Sequence, residues 1–147
     1  MTYPLTRSEE VVATAIMSAI EAGASGLQIQ DVFYGDQTQL PRTPAVCVAP
    51  GNKRRNWSGA TLRTENTFET YVYVYYGKVQ DVQANTHAAQ TLADAVEDLV
   101  MQDIRLGGIV IWTLCTQNEP GMINKMGSLL VGNRLTFESM SKTPFTG

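Results

Sequence analysis

Between Thr67 and Tyr76 the sequence TFETYVYVYY alternates without a break. Phe68, Thr70, Val72 and Val74 fall on one face, and Glu69, Tyr71, Tyr73 and Tyr75 on the other, which predicts a long strand with two adhesive faces. From Asp81 to Arg105 the period becomes helical. Ala88, Leu92, Val96, Leu99 and Val100 line one side, with Gln83, His87, Gln90, Asp94 and Glu97 opposite. Upstream, Thr6 followed by Glu9 forms a capping box, and Val12, Ala15, Ile16, Ala19 and Ile20 make an apolar stripe that Gly23 closes as a left-handed helix end. Both helices therefore need a sheet to lie on.

The remaining stretches read as strands and connectors. Gly26 to Tyr34 predicts a strand closed by the turn pair Gly35-Asp36, and Leu40 to Pro44 a connector stiffened by two prolines. Ala45 to Ala49 is a short apolar strand between Pro44 and Pro50-Gly51, expected to pair with residues 67–76. The intervening segment 51–63, GNKRRNWSGATLR, predicts a long hairpin loop or arm. Ile109 to Cys115 predicts another strand, Asn118-Glu119-Pro120-Gly121 a turn, and Ser128 to Ser139 one or two strands with a bulge near Gly132-Asn133. Residues 141–147 read as a loose tail. The element order predicts an α+β fold: a single domain, mostly antiparallel sheet, with two helices packed on one face and a long hairpin arm.

The 147 residues suffice for one domain with a substantial core. No apolar run is long enough to cross a bilayer, and the first residues, MTYPLTRSEE, lack the blocks of a signal peptide, so a cytoplasmic origin and no membrane partner are expected. Cys47 and Cys115 fall inside predicted strands without CxxC spacing, which favours free buried thiols over a disulfide or a metal site. His87 stands alone on a polar helix face. It is seven residues from Asp94, the wrong spacing for a helical metal pair, and no local signature brings it to a cysteine. The glycines between 121 and 132 match neither a phosphate loop nor a dinucleotide fingerprint. No catalytic residue, metal or cofactor is expected.

Two surfaces remain. Lys53, Arg54, Arg55 and Arg63, with Trp57 among them, concentrate four of the eleven basic residues in a chain of net charge −3. That segment reads as a solvated loop tip, as a docking element for an acidic protein surface, or as a small nucleic-acid site in which Trp57 stacks a base. The net negative charge ranks nucleic acid last. The second surface is the tyrosine face. Tyr71, Tyr73 and Tyr75 present several hundred Å², of the order of the largest patch a monomer tolerates, so either another subunit or the rest of the chain should cover them.

In the order of its elements, with PRTPAVCVAPG before the long strand TENTFETYVYVYYG, a long helix and a closing GNRLTFESMS, the chain resembles the tail terminator (tail completion) proteins of long-tailed bacteriophages. The resemblance covers nearly the whole chain and rests on order and texture. It implies a hexameric ring in the virion at the head–tail junction, assembled in the host cytoplasm. Such a ring caps the last ring of the tail tube, stops its elongation and provides the head-attachment surface. Its implied partners are further copies of itself, the tail tube protein and the head–neck connector, with passing contact with DNA in the lumen and no enzymatic step. A neck or head-completion ring protein has the same texture. Tyr71, Tyr73 and Tyr75 are the expected subunit contact, and the basic segment is the expected docking element.

Overall fold

The computed structural model describes residues 5–58, 63–78, 82–125 and 127–144. Helix α1 (Glu9–Gly23) and a 3-10 turn (Ser25–Leu27) lead into β1 (Asp31–Tyr34), followed by β2 (Ala45–Ser58), β3 (Arg63–Lys78), α2 (Val82–Met101), β4 (Trp112–Lys125) and β5 (Ser128–Pro144). The five strands form one sheet in the order β1-β2-β3-β5-β4. Only the β1–β2 pairing is parallel; the others are antiparallel. The α+β architecture expected from the periodicities is the architecture observed.

Both helices lie on the face carrying Phe68, Val72 and Val74. Val12, Ile16 and Ile20 of α1 and Leu92, Val96 and Val100 of α2 pack there against Val46, Val48, Leu135 and Phe137 in one continuous core. Phe68 and Phe137 are fully buried, and removing side chains of this size typically costs ~3–5 kcal/mol. No described helix is long and apolar enough to cross a membrane.

Several element ends differ from the sequence reading, each for a physical reason. Helix α1 is capped by Ser8, whose side chain accepts from the Val11 N–H, while Thr6 Oγ1 accepts from the Ser8 N–H one step earlier. Gly23 is not the left-handed helix end expected from the sequence; it lies at the seam between the two helices, where a Cβ would stand 2.4 Å from Leu99 Cδ2. Residues 26–30 are not strand; β1 begins at Asp31. Helix α2 stops at Met101 because the Asp103 carboxylate takes the backbone N–H groups of Arg105 and Gly107, turning the chain before Arg105.

The larger differences are in the strands. Asn118 to Gly121, expected as a turn, runs straight through β4, and β5 is a single strand that includes residues 141–144 of the expected loose tail. Ser141 and Thr143 are buried, and Asn66 Nδ2 donates to both hydroxyls. Residues 145–147 lie outside the described residues. The basic segment is strand as far as Ser58, so the expected arm is an extension of the β2–β3 ladder; its tip, 59–62, lies outside the described residues.

Candidate interaction surface

Strict alternation along β3 sends Tyr71, Tyr73 and Tyr75 to the sheet face away from both helices. Tyr73 stacks on Tyr75 with 6.3 Å between ring centroids and planes within 8°, and Tyr71 follows at 6.5 Å, tilted by 43°. Cross-strand register places Cys47 and Ala49 of β2 beside them on one side and Arg134 and Thr136 of β5 on the other. The Arg134 guanidinium lies 5.4 Å from the Tyr71 ring centre and donates to Glu119 on β4 at 2.9 Å. A cation, an aromatic face and a carboxylate are thus assembled across three strands.

The three tyrosines do not form one patch. Tyr75 is 3% exposed, because the connector after β1 folds over it. Its hydroxyl donates to Asp36 Oδ1 at 2.7 Å, and Lys125 Nζ sits 3.0 Å from the same oxygen and 4.9 Å from the ring centre while also donating to the Gln37 carbonyl. Burial, reinforced by that hydrogen bond, pushes the Tyr75 phenol far above its ordinary range, so it remains a donor. Tyr75 is therefore covered by its own chain, which corrects its place in the expected subunit contact. Nothing local in the sequence marks this cover: Asp36 and Lys125 are each tens of residues from Tyr75.

Tyr71 and Tyr73 remain half-buried. Beside them the open face continues through Leu114 and Ile123 on β4, which are 43% and 42% exposed. Between Tyr73, Tyr75 and the stretch from Glu119 to Ile123 lies a depression of about 240 Å³ whose floor is Gly132. Among the described residues this face has no covering helix.

The basic segment is also divided by alternation. Lys53 pairs in register with Phe68, which turns it to the helix face. There its ammonium donates to the Arg7 carbonyl, stands 3.7 Å from a Glu9 carboxylate and leaves little side chain in solvent. Lys53 therefore anchors the start of α1, correcting its place in the docking element. Arg54 and Arg55 are exposed and have no ion pair with a described residue. Trp57 and Arg63 are placed in the ladder by their backbones, opposite Thr64 and Ser58; the readings of their side chains lie outside the described residues.

The groups that could have carried chemistry stay apart. His87 is exposed on α2, and among the described residues no cluster of three His, Cys, Asp or Glu side chains is placed to hold a metal. Cys47 and Cys115 are free thiols, one buried and one half-buried. Burial raises both: Cys115, also hydrogen-bonded to Glu97, is pushed up to about 12. A rise of that size from 9.0 lowers the thiolate fraction at neutral pH about a thousandfold. Iodoacetamide at pH 8 is expected to label the native protein far more slowly than the urea-unfolded chain. Equal rates, read by mass spectrometry, would contradict the burial of these thiols.

No family model matches the chain, and no curated protein matches it. Among solved structures it is similar to a chain of the virion of a native gene transfer agent (GTA) particle. The TM-score is 0.63 at 14% identity, with 94% of this chain and 100% of that chain covered. The likeness is one of fold, over almost the full length of both chains.

Proposed function

We propose that this chain is a structural subunit of a phage-like virion, a ring-forming protein that caps the tail tube, stops its elongation and presents the head-attachment surface. The observation that carries this reading is the uncovered sheet face with Tyr71, Tyr73, Leu114 and Ile123. Each aromatic ring offers an apolar body with a polar tip, the kind of side chain enriched at subunit contacts. The fold likeness to a chain of a GTA virion and the resemblance to tail terminators support the same assignment.

The action follows from differential binding. A hexameric ring that mates with the end of the tube, but offers no further copy of the tube's own surface, halts polymerisation without bond-making chemistry. Its other face is then free for the head–neck connector. Tyr71 and Tyr73 serve a subunit contact, and Arg54 and Arg55 are the exposed cations available for docking. No cofactor or metal enters the reading.

Electron microscopy of particles assembled without the protein tests it. Filled heads beside unjoined tails of irregular, excessive length are the expected result. Tails of normal length that fail to join heads would replace the terminator with a neck ring, which the same exposed face would also serve. Complete particles would remove both.

A further inference from the structure

The sheet has two open edges, and they carry opposite charge. On one side β1 pairs only with Ala45–Val48, so the stretch of β2 from 50 to 58 has no strand on its outer side among the described residues. With Lys53 committed to α1, the free cations of that stretch are Arg54 and Arg55. On the other side β4 is the edge strand along its whole length among the described residues. Helix α2 borders it there: the Asp94 carboxylate lies 3.5 Å from Asn118 Nδ2, and Glu97 faces the Cys115 thiol. Asp94 and Asp98 are exposed, Glu97 is half-buried, and α2 contains no Lys or Arg. None of the three acids forms an ion pair with a described residue.

These charges cannot neutralise one another within a single copy. Strands β3 and β5 separate β2 from β4, and three interstrand spacings amount to roughly 14 Å. The register adds a further offset, since Arg54 is level with Thr67 and Met140 whereas Asn118 is level with Leu135 and Val72. At physiological salt such a separation is largely screened. A two-fold contact through either edge would set like charges against each other. A contact of one edge with the opposite edge of the next copy satisfies both, and such head-to-tail contacts form a ring where the rotation between copies closes.

Alternation turns Arg54 to the tyrosine face and Arg55 to the helix face, the side on which α2 lies. We infer that Arg55 of one copy seats on the Asp94–Glu97–Asp98 flank of the next copy, bringing the β2 arm alongside the open β4 edge. This deepens the ring reading and rests on it. Charge complementarity identifies the occupant as a second copy of this chain, and the paired edges set the direction of travel around the ring.

Disulfide trapping between two differently marked copies tests the seat, because it captures even weak encounters. In a Cys115→Ser background, one chain carries Arg55→Cys and the other Asp94→Cys; they are mixed at low salt and oxidised. The mixed dimer is expected to exceed either homodimer about tenfold and to fall towards them at 1 M salt, where the Debye length is about 3 Å. A second readout uses charge. Arg55→Glu should weaken self-association measured by sedimentation, and adding Asp94→Lys with Asp98→Lys in the same chain should restore it. Homodimers in equal yield, or no mixed dimer, would overturn the seat. If the unmodified protein nevertheless sediments as an oligomer, the ring reading stands without this contact. A mixed dimer from a protein whose loss leaves tails normal would keep the seat and remove the tail-capping role.

Discussion

Gly132→Ala is expected to destabilise the protein by about 3 kcal/mol, the upper end of what overpacking usually costs. An added Cβ would lie 2.2 Å from the Val74 carbonyl oxygen and 3.2 Å from Tyr75 Cα. Both are backbone atoms of the neighbouring strand. No rotamer change relieves the clash; β3 and β5 must part at the centre of the sheet, beside the bulge between Tyr75 and Gly77. The matched control is Gly121, paired with Gly132 in register, where an added Cβ meets nothing within 4 Å. Gly121→Ala should change stability by less than about 0.5 kcal/mol. Urea unfolding separates the two, and for a chain of this size the Gly132 variant should melt roughly 10 °C lower. Indistinguishable variants would mean that β3 and β5 do not approach so closely.

Asp36→Ala should be the next most damaging exchange, at about 2–3 kcal/mol. The Asp36 carboxylate serves both the Tyr75 hydroxyl and Lys125, whose side chain is only 8% exposed. Its loss leaves a buried phenol without its acceptor and a buried cation without its counter-charge, with the Gln37 carbonyl still accepting from Lys125. Breaking a fully buried pair costs ~3–5 kcal/mol, and the figure is reduced here because the Asp36 side chain is 32% exposed and partly screened. The effect should also be local. Cys47 packs with Tyr75 under the same connector, so native-state alkylation of Cys47 should accelerate in the variant. An unchanged unfolding midpoint with Cys47 still protected would show that the connector is held by something else.

Periodicity reveals the helices, the long central strand and the face each presents, because amphipathic faces are written locally. It fails where topology decides. Asn118-Glu119-Pro120-Gly121 has turn chemistry, yet it lies in an edge strand, where a proline lacking an N–H deprives no neighbour of a bond. The segment after Pro50 has loop composition, and reading it as a loop hides the alternation that sends Lys53 inward and leaves Arg54 outside. The cover over Tyr75 could not be read at all, since it joins Asp36, Tyr75 and Lys125 from three distant parts of the chain. The exposed part of the tyrosine face was legible, while its limits required the fold.

Strand β5 follows every other element in the sequence, yet it lies inside the sheet, between β3 and β4. During synthesis, therefore, the inner edges of β3 and β4 must wait until β5 has left the ribosome and can insert between them. Before that moment the nascent chain has a three-stranded β1-β2-β3 sheet, a β4 without its partner strand, and an incomplete core lacking Leu135 and Phe137. Completion of the core is thus deferred until β5 is made, a built-in delay before the sheet faces of the finished fold can exist.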